Sequence, residues 1–325
     1  MLKDEAENNF CPYLNLNTQE YLGLLLCLNQ TYLNKIQKKL SSLSLSTDLT
    51  TDFAILAVGS DGKKERHPRS RTELIIVGDN LTENVLETTQ LLDDNSEFLS
   101  LENQRIGGTE VKIFNNSLSY YKNQTNNVYP DRILNTVFVA GNPEVHKKAR
   151  IEILKEMSSA SHQATIIREK MKKQLLEYLK AAKTGIYRKQ PVFSITETQQ
   201  YYLESSNYLT TGFKIPFLRT VQRLADLLTV KLIDDGKMSI EQAAVLLPTV
   251  TVNRLELLSN FDYIQNPTEL VNAYTWFLQK YHHIQENNRH QPNQISTLRY
   301  NPDEFTKHSQ IITQTVEEFL HIVPE

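Results

Sequence analysis

Hydrophobic positions along this chain follow two spacings, a helical one and short unbroken apolar runs, and the order in which they occur predicts the layout. In residues 18–40 the apolar side chains Tyr21, Leu24, Leu25, Leu28, Tyr32 and Ile36 recur at helical intervals behind Thr18, a good N-cap. Two strand-like runs follow at 53–58 and 72–77, the second stopped by Gly78-Asp79-Asn80. A helix is predicted over 82–92 with Thr82 as its N-cap, and a third short strand over 109–114 after Gly107-Gly108. From Leu118 onward the pattern reads as helical. Amphipathic stretches are expected at 143–157 and at 164–183, the latter with lysines on its open face. In 217–232, Phe217, Val221, Leu224, Leu228 and Leu232 share one face and Arg219, Arg223 and Asp226 lie away from it. Further helices are expected at 239–247, 251–260, 267–286 and 302–321, each opened by Ser, Thr or Pro. The reading is an α+β protein: an N-terminal helical segment (1–50), a small mixed-sheet domain (51–150) and an all-helical C-terminal bundle (151–325), the boundary between the last two falling near 142–163.

Composition narrows the class. The chain has 325 residues, 40% hydrophobic and 22% charged, enough for two domains with proper cores and far from a disordered composition. A formal net charge of -3 supplies no overall basic field, so no nucleic-acid partner is expected. The two cysteines, Cys11 and Cys27, form no CxxC and read as reduced thiols. The N-terminal residues are acidic and polar, unlike a signal peptide, and no apolar run is long enough to span a bilayer. A cytoplasmic protein without a membrane span is expected; export by a route without an N-terminal signal stays open.

The candidate chemistry lies in residues 53–77, FAILAVGSDGKKERHPRSRTELIIV. Gly59 lets a backbone approach a phosphate, Ser60 adds a hydroxyl donor, Gly62 keeps the next step flexible, and Lys63, Lys64, Arg66 and Arg69 add positive charge. Such a turn suits a phosphate; it also suits a solvated loop in which Asp61 and Glu65 pair internally with the cations. Elsewhere the histidines are scattered without an i,i+4 partner, and the adjacent His282 and His283 point to different sides of a helix, so zinc is not expected. Tyr201, Tyr202 and Tyr208, close in sequence to Lys214 and Arg219, are candidates for a base pocket or for packing.

The spacing Gly59, Ser60, Gly62, Lys63, Glu65 resembles that of the nucleotidyltransferase superfamily, in particular the N-terminal domain of PII-protein uridylyltransferases and the putative nucleotidyltransferases that accompany CBS modules. Residues 129–150 and 207–228 resemble later segments of the same proteins in the right order, so the resemblance covers roughly 50–285. It implies a nucleotidyltransferase-like fold, a nucleoside triphosphate held by Gly59, Ser60, Gly62, Lys63, Lys214 and Arg219, and Mg²⁺ held by Glu73 and Glu110 as catalytic ligands; Arg71 is a further candidate nucleotide contact, read from its charge and not from the resemblance. It also implies transfer of a nucleotide monophosphate to a protein acceptor, with Lys214 and Arg219 facing a cleft between the two domains.

One position departs from the pattern. The family carries two aspartates on the second strand, and here they fall on Arg71 and Glu73. Two unit charges about 4 Å apart interact by roughly 4 kcal/mol at an effective dielectric near 20, so a guanidinium aimed at a metal position opposes metal binding strongly. Three readings follow. Arg71 grips the triphosphate and nucleotide binding persists without catalysis; or Asp61 or Glu65 replaces the lost ligand and a slower transferase remains; or the turn is vestigial and the surface serves a protein partner. The alternative function is therefore a catalytically inactive pseudo-nucleotidyltransferase that senses nucleotide or binds protein.

Overall fold

A computed structural model describes residues 16–43, 52–66, 72–78, 83–94, 111–117, 130–158, 160–191, 194–195, 201–202, 213–287 and 302–322. Its elements are α1 (Thr18–Ser42), β1 (Phe53–Ala57), a single turn of helix α2 (Gly59–Gly62), β2 (Thr72–Gly78), α3 (Glu83–Asp94), β3 (Val111–Ser117), α4 (Pro130–Leu134), β4 (Val137–Gly141), α5 (Pro143–Ser158) and α6 (His162–Thr184). There follow the two-residue strands β5 (Ile186–Tyr187), β6 (Gln190–Pro191), β7 (Ser194–Ile195) and β8 (Tyr201–Tyr202), and a π-helical turn (Lys214–Arg219). The chain then forms α7 (Thr220–Asp234), α8 (Ile240–Leu246), α9 (Thr251–Ser259), α10 (Pro267–Asn287) and α11 (Pro302–Ile322). The chain is α+β, and no described helix is long and apolar enough to cross a membrane.

It divides into two compact units. One comprises Leu25–Met171 and Asp226–Arg254 and contains the sheet. The strand order is β3-β2-β1-β4, with β1 antiparallel to both β2 and β4 and β2 parallel to β3, so the sheet is mixed. One face packs Ile55, Ala57, Leu74 and Ile76 against Leu33, Ile36 and Leu40 of α1 and Val85 and Leu92 of α3. Helix α5 packs on β1, β2 and β4 and buries Ala149, Ile153, Leu154 and Met157. With both faces covered, every side chain of β1 is buried, which is why that strand reads as an unbroken apolar run rather than an alternating one.

The other unit comprises Met1–Leu24, Lys172–Ala225 and Leu255–Glu325. Its core is aromatic: Phe217 stacks on Phe277 at 3.8 Å, and Phe213 and Phe305 meet both at steeper angles. The Tyr21 hydroxyl bonds His282 Nδ1 at 2.8 Å, tying α1 to α10.

Two expectations about this architecture are corrected. Residues after Leu118 are not all helical. Val137–Gly141 is a strand, a five-residue apolar run that a buried helix would match equally well in pattern. The C-terminal region also contains the short β5–β6 and β7–β8 ladders.

Candidate functional site

The turn after β1 is built by two glycines that serve different ends. The Val58 amide donates to the Glu73 carbonyl at 3.0 Å, the last rung between the strands, and Gly59 then leaves the strand at φ +66. That conformation is open to glycine and costly for other residues. A Cβ on Gly59 would stand 3.1 Å from Glu73 Oε2, so the Glu73 carboxylate lies directly over the exposed backbone of Gly59. Gly62 is glycine for lack of space: a Cβ there would sit 2.0 Å from the Asn135 carbonyl oxygen and 2.9 Å from that of Ala57. The turn closes with the amides of Gly62, Lys63 and Glu65 donating to the carbonyls of Val58, Gly59 and Ser60.

Arg66 holds the far end of the turn. Its Nη1 donates to Thr72 Oγ1 at 2.9 Å at the start of β2, its amide donates to Asn29 Oδ1 at 2.8 Å, and its guanidinium lies 4.9 Å from the Tyr32 ring. At 1% exposure it is among the largest fully buried side chains of the chain, so the expected solvated basic loop is corrected at this position. Arg66 braces the turn against α1 and is not presented to a phosphate. Lys64, at φ 53, donates to Gln30 Oε1 at 3.1 Å.

Behind Gly62 lies a buried polar frame. Asn135 Nδ2 donates to Asp226 Oδ1 at 3.2 Å, and Arg254 Nη1 donates to the same oxygen at 2.9 Å. Asp226 is expected away from the apolar face of its helix; it is 2% exposed instead, because α7 is packed on more than one side. Arg223, expected outward as well, is buried with Nη2 on Gln174 Oε1 at 3.0 Å. Removing one member of a buried ion pair strands the other charge, so Asp226 and Arg254 form a structural unit. Nearby, Arg150 donates to the Leu247 carbonyl at 2.8 Å, and burial together with the Arg254 charge brings it down to about 10. The Thr136 hydroxyl donates to the Ile133 carbonyl at 2.8 Å and therefore accepts from His146 Nε2 at 2.7 Å, which places the ring proton on Nε2. Burial, and then the Arg150 charge, push His146 down to about 4, so it is neutral at physiological pH.

Of the residues expected to serve a nucleotide, Gly59, Ser60, Gly62, Lys63 and Glu73 come together in the sheet-containing unit, with Ser60 and Glu73 partly exposed. Arg71 and Glu110, with His67, Arg69 and Tyr208, lie outside the described residues. Lys214 and Arg219 belong to the other unit, at the two ends of the π-turn. Both reach one side chain: Lys214 Nζ is 5.9 Å from the Tyr281 ring, and the Arg219 charge acts on the Tyr281 hydroxyl. Burial raises that hydroxyl well above the ordinary tyrosine range and Arg219 offsets part of the rise. The π geometry accounts for the juxtaposition, because five residues make little more than one π-turn and so return to the same side. Pro216 lacks an amide to donate, the Leu218 amide reaches back five residues to the Phe213 carbonyl at 3.2 Å, and the buried Thr220 hydroxyl donates to the Pro216 carbonyl at 2.6 Å.

Among the described residues no group of three or more His, Cys, Asp or Glu side chains could hold a metal ion. Glu73 is the one expected metal ligand that lies within them. Compared with models of known protein families and with curated proteins, the chain matches none.

Proposed function

We propose that this chain is a nucleotidyltransferase-like protein that binds a nucleoside triphosphate at the turn between β1 and β2. The observation that carries the reading is the Glu73 carboxylate set over the open backbone of Gly59, the residue before Ser60. The glycine leaves room for a phosphate, but a carboxylate beside a phosphate is repulsive unless a cation lies between them. A magnesium nucleotide satisfies both groups. Glu110 is the proposed second carboxylate and Arg71 a proposed guanidinium contact to the phosphates. The described donors alone are too few to hold Mg²⁺ unaided, so nucleotide oxygens would have to complete its coordination and no reaction step is assigned to it.

In the same reading Lys63 contacts the phosphate chain, and Mg²⁺, when bound, supplies charge neutralisation. Transfer of a nucleotide monophosphate to a protein hydroxyl would form a new bond at the α-phosphorus and release pyrophosphate. The second reading, a catalytically inactive pseudo-nucleotidyltransferase that senses nucleotide or binds a protein, is favoured by Arg71, which stands where the resembled family keeps an aspartate. Titration calorimetry with ATP, UTP, GTP and CTP, each with and without Mg²⁺, tests the proposal. Binding of one of them that needs Mg²⁺ and weakens about tenfold or more in Ser60→Ala and Glu73→Ala is expected. The lack of any Mg²⁺-requiring nucleotide binding that these two substitutions weaken would overturn it.

A further inference from the structure

Around Tyr187 the helical unit presents the exposed cations Arg188, Lys189 and Arg219. Strands β5 and β6 form a hairpin in which Tyr187 pairs with Gln190, so Arg188 and Lys189 make the two-residue connection. Both sit in the left-handed region, at φ 49 and φ 66. Turns of this kind normally use Asn and Gly, for which that region is accessible. Here it is occupied by two long cations, and both are exposed. A strained backbone that presents charged side chains points to a use for those side chains.

The π-turn brings further charge to the same place. Arg219 is exposed and acts on the hydroxyls of both Tyr187 and Tyr281, and Arg188 lies 5.2 Å from the Tyr187 ring. Lys214 stands over Tyr281. Arg188, Lys189 and Arg219 make no ion pair with any described residue. Among the described residues the carboxylate that acts on Tyr187 is Glu177, which opposes the cations. Two separate backbone irregularities, a left-handed hairpin and a π-turn, thus bring Arg188 and Arg219 to one tyrosine, Tyr187.

We infer that this patch is a binding site for a compact polyanion, the phosphate chain of a small phosphorylated ligand, gripped by Arg188, Lys189 and Arg219. Guanidinium groups bind phosphate oxygens through paired, charge-assisted hydrogen bonds, and the tyrosine rings limit how far water competes. A long nucleic acid is the poorer match, because the chain as a whole carries a net charge of -3 and supplies no extended basic field. Mg²⁺ is not needed here, since the site is itself positive. The inference does not rest on the function proposed for the β1–β2 turn.

The test is calorimetric titration of the full chain with sodium tripolyphosphate in the absence of Mg²⁺, with ATP, adenosine and a short single-stranded RNA as further probes. One tripolyphosphate per chain is expected, with ATP binding comparably, adenosine not binding, and affinity falling as salt rises. Arg219→Ala and Arg188→Gly should each weaken binding by about tenfold or more, and Glu177→Gln should strengthen it. Arg188→Gly should also raise the melting temperature, because glycine relieves the left-handed strain; a gain in stability with a loss of binding is not what a purely structural arginine gives. Ser60→Ala and Glu73→Ala should leave Mg²⁺-free binding intact, which separates this site from the β1–β2 turn. Wild-type affinity in a combined Arg188→Gly and Arg219→Ala variant, no binding of tripolyphosphate by the native chain, or preference for the RNA would each overturn the inference.

Discussion

Arg66 and Arg219 carry the same charge, and both stand where basic side chains suggest a phosphate, yet their surroundings put them to opposite uses. Arg66 is buried, bonded to Thr72 and set against Tyr32, so its charge is spent holding β2 to α1. Arg219 is exposed, makes no ion pair with a described residue and faces two tyrosines. The same contrast separates the two turns they belong to. The β1–β2 turn is closely packed, with no room for a side chain at Gly62 and one open position at Gly59 beside a carboxylate. The β5–β6 hairpin puts Arg188 and Lys189 outward on a left-handed backbone, and the π-turn presents Arg219. Positive charge in a sequence therefore says little about phosphate binding until burial is known. The proposed recognition therefore rests on glycine backbone and a cation-requiring carboxylate in the first turn, and on the side chains themselves in the second.

The sharpest way to break this comparison is Gly62→Ala. If the first turn is closely packed, the new methyl must displace the backbone carbonyls of Asn135 and Ala57, at a cost of about 3 kcal/mol that urea unfolding would register. A loss below about 1 kcal/mol would mean the turn is loose and the contrast false.

A smaller effect comes from His146, which supports the Asn135–Thr136 link on which Gly62 rests. Its pKa is lowered to about 4 in the folded chain, against an ordinary value of 6.5. Between these values the unfolded chain binds the extra proton and the folded one does not. The stabilisation from the neutral ring is thus whole above about pH 6.5 and declines as the pH falls toward 4, by roughly 2–3 kcal/mol in all. Unfolding curves from pH 7 to 4 should lose this contribution, and His146→Gln should flatten that segment of the profile.

The smallest effect concerns the other region. Arg188→Gly relieves a left-handed residue and should stabilise the chain by about 1 kcal/mol, read as a rise in melting temperature. A destabilised variant would mean that the strain at the hairpin is supported by contacts the side chain makes, and that Arg188 is structural after all.

Much of the scaffold was legible before the structure. The helices predicted at 267–286 and 302–321 are Pro267–Asn287 and Pro302–Ile322, because proline at the first helical position and an apolar stripe mark both clearly. Strands β1 and β2 fall where their apolar runs lie. Strand β3 extends to Ser117, beyond the predicted 114, since its polar end is held in register with Ile76, Val77 and Gly78 and not by its own pattern. Strand β4 was missed because five apolar residues among helices carry no period of their own.

At the candidate site the legible part was local. Gly59, Ser60 and Gly62 are readable from the turn and Glu73 from the resemblance, and the structure supplies the separate physical reasons for the two glycines. The burial of Arg66, Arg223 and Asp226 could not be read from the chain, because their partners lie on distant segments: Asn29 and Tyr32 for Arg66, Gln174 for Arg223, Asn135 and Arg254 for Asp226. Pro216 was the one trace of the π-turn. The Arg188-Lys189 hairpin had none, since neither residue is a turn former at φ > 0.

The central claim is that a nucleoside triphosphate is held at the β1–β2 turn through a cation that Glu73 requires. The most direct measurement is the Mg²⁺ dependence of nucleotide affinity in the native chain and in Glu73→Ala, titrated side by side. Native binding that tightens about tenfold or more with Mg²⁺, and a Glu73→Ala chain that no longer responds to Mg²⁺, is the predicted result. Equal Mg²⁺ dependence in the two proteins, or none in either, would contradict it.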